Sequence, residues 1–151
     1  MDCGLKTEAQ LALQLDRLLR RFHADLHPRA RAVDQEKVGP IGGMVLLVIS
    51  EAGPITAQTI GATLGRDKSQ VSRLVSLLVQ KGLIEKSSAD GDARRAPLRL
   101  TEKGTLQVAA FNGAMVATTT SLLAHLSPDE AGHFSALLSK ILDAPQRDAD
   151  P

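Results

Sequence analysis

Ser69, Ser72, Arg73 and Ser76 recur at helical spacing along one side of the stretch 56–81, TAQTIGATLGRDKSQVSRLVSLLVQK. Val71, Leu74, Val75, Leu78 and Val79 take the other side at i, i+3, i+4, i+7 and i+8, an apolar stripe of core-facing type. Small hydroxyls and a guanidinium on one face suit hydrogen bonding to base edges and phosphates. They also let a helix backbone lie deep in a major groove while its apolar side is held by a domain. The bland alternative is an amphipathic helix pair that only packs a small domain. A second chemical feature lies at 88–95, SADGDARR, where Asp90-Gly91 is a turn signal and Arg94 and Arg95 are paired cations. Enzymatic chemistry has little to work with. There is no Gly-rich phosphate loop, no nucleophile elbow and no paired carboxylates in an apolar setting, so no catalytic residue and no cofactor is expected.

The elements that must position these groups follow from local signals. Ile60, Gly61 and Leu64 form the inner face of a short helix, Gly61 removing a side chain where two helices approach. Gly65 supplies a left-handed turn, and Asp67 caps the next helix with Gln70 completing a capping box. Strand-like runs at 83–87 and 96–100 flank the basic tip, and 54–56 is long enough to pair with them. A helix-turn-helix followed by a basic-tipped hairpin is a winged helix. Pro97 predicts that the return strand is an edge, or that the proline falls where no ladder bond is needed.

Around this unit the spacing predicts further helices. The first starts at Thr7, carries Leu11, Leu15, Leu18, Leu19, Phe22 and Leu26, and ends at Pro28. Its stripe suits either core packing or half of a subunit interface. A polar connector at 29–40 leads to a short helix at 41–51, whose start Gly42 and Gly43 weaken. Thr101 caps a helix reaching about Leu126, with inner positions Ala109, Ala110, Gly113, Ala117 and Thr120 between Leu106, Val116 and Leu123. Ser127-Pro128-Asp129-Glu130 opens the last helix, with Phe134, Leu137, Leu138, Ile141 and Leu142 as its stripe and Pro145 as its stop.

Composition sets outer bounds. A chain of 151 residues with 43% hydrophobic content supports one folded unit. Net charge is +1, but residues 54–104 hold 9 basic and 5 acidic groups against 2 and 5 in 105–151, so the positive excess falls on the proposed reading unit. The longest apolar run, 44–49, is far short of a membrane span and the N-terminus shows no signal-peptide pattern, so a cytoplasmic protein is expected. Cys3 is the only cysteine and reads as an inert terminal thiol. His23 and His27 stand at i, i+4 beside Asp25, but without a third ligand they read as exposed histidines at a helix end, and no metal is expected.

The order of parts resembles the MarR family of winged-helix transcriptional regulators. Asp92-Ala93-Arg94-Arg95 through Leu100-Thr101-Glu102-Lys103-Gly104 is similar to that family's wing signature, an Asp-x-Arg followed by a strand ending Leu-Thr-x-x-Gly. Ser69-Gln70-Val71-Ser72-Arg73-Leu74 with Lys81-Gly82-Leu83-Ile84 resembles its recognition helix and exit. The resemblance implies a mainly α fold with a small β-wing, one domain over 1–151. A winged helix-turn-helix core at 41–100 would be flanked by dimerisation helices at 5–28 and 101–144. It implies a homodimer acting on a palindromic double-stranded DNA operator, more often a repressor than an activator. Arg94 would enter the minor groove, oriented by Asp92 and beside Arg95. Lys68, Ser69, Gln70, Ser72, Arg73 and Ser76 would meet bases or phosphates. It also implies release by a small amphipathic effector, for which Leu19, Phe22, Met44 and Leu47 could supply a lining although each is equally a core residue. The reading from another class is a winged-helix module that binds protein and not DNA.

Overall fold

The computed structural model describes residues 2–87 and 96–144, with side chains from residue 7 onward. In chain order the elements are α1 (Asp2–Val33), α2 (Gly39–Ala52), α3 (Ala57–Leu64), α4 (Lys68–Gln80), β1 (Ile84–Lys86), β2 (Leu98–Leu100), α5 (Glu102–Leu122) and α6 (Pro128–Leu142). The chain divides into two compact units, Met1–Thr118 and Thr119–Pro151. Among the described residues no helix is long and apolar enough to cross a membrane.

In the first unit the core is the winged helix itself. Val45, Leu46 and Ile49 of α2 meet Ile60 of α3, Val71, Val75 and Leu78 of α4, and Leu83, Ile84 and Leu98 around the sheet. Eight of these side chains, Val45, Leu46, Ile60, Val71, Leu78, Leu83, Ile84 and Leu98, are fully buried. Each contributes about 1.5–3 kcal/mol relative to leaving it in water. The α4 stripe is therefore the expected one, except that Val79 falls at its edge and stays 37% exposed.

β1 and β2 pair antiparallel, Ile84 opposite Leu100 and Lys86 opposite Leu98. On the other side of β2, Ile55 N–H donates to the Leu98 carbonyl at 3.2 Å and Leu98 N–H to the Ile55 carbonyl at 2.8 Å. β2 is thus flanked on both sides and is not an edge. The proline is accommodated because it precedes the strand, where its carbonyl accepts from Ser87 N–H at 2.8 Å and no donor is required.

Three sequence expectations change. First, α1 begins at Asp2 and not at Thr7, and it runs through Pro28 to Val33, shortening the connector. A capping residue is a preference of about 1 kcal/mol, which does not stop a helix that no proline interrupts upstream. At Pro28 the ring disturbs the ladder. Pro28 offers no N–H to the Ala24 carbonyl, and next to it the Arg29 guanidinium donates to the Asp25 carbonyl at 2.9 Å. Second, α2 begins at Gly39 and not at Ile41, its entry set by Asp34, whose carboxylate accepts from Val38 N–H (3.0 Å) and Gly39 N–H (2.8 Å).

Third, α5 ends at Leu122 and turns a different face inward. Gly104, Gln107, Phe111, Ala114 and Thr118 are buried, whereas Ala109, Gly113, Ala117 and Thr120 are exposed in the subunit. Close approaches fix this register. A Cβ on Gly43 would meet the Phe111 ring at 3.0 Å, so the glycine read as a weak helix start is what admits that ring. Gln107 Nε2 donates to the Val33 carbonyl at the end of α1, 3.2 Å away.

In the second unit, α6 opens with the predicted capping box. Ser127 Oγ accepts from Glu130 N–H at 3.2 Å, and the Glu130 carboxylate accepts from Ser127 N–H at 2.8 Å. Along its stripe Phe134 is half-buried, while Leu137, Leu138, Ile141 (69%) and Leu142 (79%) are exposed. Pro145 lies outside the described residues. Leu11 and Leu15 on α1 and Leu106 and Val116 on α5 are likewise more than half exposed.

Candidate nucleic-acid interface

The turn between α3 and α4 is built as its residues dictate. Thr56 Oγ1 accepts from Thr59 N–H at 3.2 Å to start α3, and Gly65 closes it at φ 59°. Gly61 permits the close crossing, since a Cβ there would lie 3.2 Å from the Arg66 carbonyl oxygen and 3.4 Å from Val71 Cγ2. Asp67 then caps α4, accepting from Gln70 N–H at 2.9 Å and from the Ser69 hydroxyl at 2.7 Å. Ser69 is consequently committed as a donor to the cap and offers its oxygen lone pairs only. Lys68, Gln70, Ser72, Arg73 and Ser76 are exposed along one face of α4.

The Ser69 hydroxyl, with the Gln70 amide, holds the Asp67 carboxyl below its usual range. A carboxyl depressed in the folded state contributes stability at pH values above its unfolded pKa, roughly 3.9, and loses that contribution as pH falls through the folded value. In amide NMR spectra the Gln70 N–H resonance should therefore titrate with a midpoint below roughly 3.9. A midpoint at or above that figure contradicts the cap.

Between α3, α4 and the strands runs an open cavity of about 770 Å³ with Val71, Val75 and Leu98 in its floor. Arg66, Lys68 and Lys86 line it together with Ser72 and Ser76, and among the described residues no acidic one does. Arg66 in the turn and Lys86 on β1 were missed as candidates by the sequence reading. Their signal was the basic excess of 54–104, which spacing on α4 alone does not resolve. Asp92, Arg94 and Arg95 lie outside the described residues. Of the candidate effector lining, Leu19 is 49% and Met44 42% exposed, while Phe22 and Leu47 are half-buried. None of these four lines the α3–α4 cavity.

Residues 41–95 match the model of the MarR family. The chain belongs to the MarR family. Its curated relatives include the exopolysaccharide II synthesis transcriptional activator ExpG of Rhizobium meliloti, 33% identical over 106 residues. That alignment covers 68% of this chain and 53% of ExpG. The HTH-type transcriptional regulator PetP of Rhodobacter capsulatus is 23% identical over 141 residues, covering 93% of this chain and 85% of PetP. The chain thus spans only about half the length of the first of these relatives. Among solved structures, a mutant MarR from E. coli complexed with operator DNA superposes with a TM-score of 0.68 at 22% identity, over 88% of this chain and 94% of that one. A MarR-family regulator from Rhodococcus gives 0.73 at 16% identity, over 91% and 97%. At these identities the superpositions establish the winged-helix fold of this MarR-family chain.

Proposed function

We propose that this MarR-family chain is a sequence-specific DNA-binding transcription regulator acting in the cytoplasm as a homodimer. The observation that carries the reading is the exposed polar face of α4 opening onto a cavity lined by the cations Arg66, Lys68 and Lys86. That arrangement suits a helix inserted in a major groove with phosphates on either side. Gln70, Ser72, Arg73 and Ser76 are assigned to bases or neighbouring phosphates, and Ser69 to accepting hydrogen bonds. The wing carries Arg94 to the minor groove, with Asp92 orienting it and Arg95 beside it, because guanidinium is favoured in the negative potential of a narrow groove. The MarR structure with operator DNA supports this mode by analogy of fold.

The uncovered leucines of α1, α5 and α6 support a two-fold partner, since stripes at this spacing are otherwise left in water. In this reading 5–28 and 101–144 are dimerisation helices around the core at 41–100, together one MarR-like domain. The sign of action is repression, relieved by a small amphipathic effector against Leu19, Phe22, Met44 and Leu47, two of which are half exposed in the subunit and open to a ligand or a partner.

Selection from random duplex tests the reading. The expected product is a palindrome with half-sites about one helical turn apart. Arg94→Ala should weaken binding to that palindrome by roughly 1–3 kcal/mol in a gel-shift titration with the dimer intact. An unchanged titration removes Arg94 from the interface. Recovery of no enriched duplex favours a protein-binding module.

A further inference from the structure

Where α4 ends, three consecutive backbone carbonyls are held by the first residues of α5. Lys103 Nζ donates to the Lys81 carbonyl at 2.9 Å, Thr101 Oγ1 to the Gly82 carbonyl at 2.6 Å, and Thr101 N–H to the Leu83 carbonyl at 3.1 Å. Thr101 Oγ1 in turn accepts from Gly104 N–H at 3.1 Å, closing the first turn of α5. The C-cap residue of α4 is Lys81, and the ammonium of Lys103 adds, from another element, a second positive charge at this helix C-terminus, where cations are favoured. The same ammonium lies 3.0 Å from the Glu36 carboxylate, in the connector between α1 and α2.

One side chain therefore ties three segments together: the exit of the reading helix, the start of α5 and the α1–α2 connector. The Lys103–Glu36 pair is half exposed, with side-chain exposures of 50% and 27%, so as an isolated ion pair it adds little to stability. What it fixes is direction. α4 is the element assigned to the groove, and α1 and α5 are two of those assigned to the subunit interface. We infer that Lys103, held by Glu36 and the Lys81 carbonyl, is a positioning residue that sets the angle of α4 against the dimer helices. It thereby sets the half-site spacing that the dimer accepts. This rests on the proposed function, since it presumes a dimer reading two half-sites.

The probe is the duplex selected by the wild-type protein, together with versions lengthened or shortened by one and two base pairs between half-sites. Lys103→Met keeps the aliphatic stem and removes the charge. It should bind the selected spacing roughly tenfold more weakly while binding the altered spacings nearly as well as wild type, so that the preference among spacings flattens. Glu36→Gln separates position from charge. Removing an acid from a DNA-binding protein should tighten binding if only electrostatics matters, whereas loss of positioning predicts the same flattened preference. Lys103→Arg, which can reach both acceptors, should restore discrimination. Equal loss at every spacing, or tighter binding by Glu36→Gln with discrimination intact, overturns the inference. Melting temperature and molar mass measured alongside show whether each variant is a folded dimer. If the wild-type protein enriches no duplex, the proposed function fails. If it discriminates spacing and Lys103→Met discriminates equally well, the inference alone fails.

Discussion

Gly104→Ala should destabilise the fold by roughly 3 kcal/mol or more, enough to unfold a marginally stable domain. A Cβ at this position would run into the Leu83 carbonyl oxygen, an overlap that real Cβ atoms essentially never show, and would sit tightly against the carbonyl carbon. Relief by side-chain rotation is closed off, because the obstacle is backbone. That backbone is also pinned, its carbonyl accepting from Thr101 N–H. Moving it would pull Leu83 and Ile84 out of the core and disturb the pairing of β1 with β2. Gly132→Ala is the matched control, since nothing lies within 4 Å of that Cβ and it is off the apolar stripe of α6. There, alanine should stabilise by about 0.5–1 kcal/mol through helix propensity. Urea midpoints for the two variants shifting in opposite directions is the expected result. Equal small shifts would contradict the close approach at Gly104.

Leu106→Glu should leave the subunit folded and separate the dimer. Leu106 is 69% exposed in the subunit, so a glutamate there meets water and adds no buried charge to the monomer. If α5 is part of a two-fold interface, the same glutamate enters that interface twice. An ionised carboxylate without a partner costs several kcal/mol to desolvate. Dimer dissociation should strengthen by 100-fold or more, seen as a monomer by light scattering at micromolar concentration with the helical circular dichroism signal retained. Duplex binding should fall with it, because a monomer engages only one half-site. A dimer of unchanged affinity would take α5 out of the interface.

How far the sequence reveals this molecule depends on whether a feature is local. Thr56, Gly65, Asp67 and Ser127 act on backbone groups within a few residues, so helix starts and the turn of the reading unit follow from residue type alone. The α4 stripe follows from periodicity, and the pairing of Ile55 with Leu98 follows from where extended segments fall. Features decided by distant residues do not. Whether α1 stops at Pro28 depends on what meets the helix beyond it, where Gln107 of α5 donates to the Val33 carbonyl. Which face of α5 turns inward depends on Gly43 making room for Phe111 and on Gly104 passing Leu83. Small residues in α5 mark an inner face on the bare pattern, yet in the subunit they are outside. Their use, in the proposed assembly, is against a second copy of the chain. The candidate interface divides in the same way: the polar face of α4 is legible from spacing, but the juxtaposition of Arg66 and Lys86 across the cavity exists only once the strands are folded beside the helix.

Phosphate engagement by the basic reading unit is best tested by titrating the purified protein with its selected duplex across a salt series. With some six or more phosphates contacted per dimer, log affinity should fall linearly against log salt with a slope of roughly −5 or steeper. A flat dependence, or no binding to any duplex at low ionic strength, would contradict the assignment of the α4 face and its cationic rim to DNA.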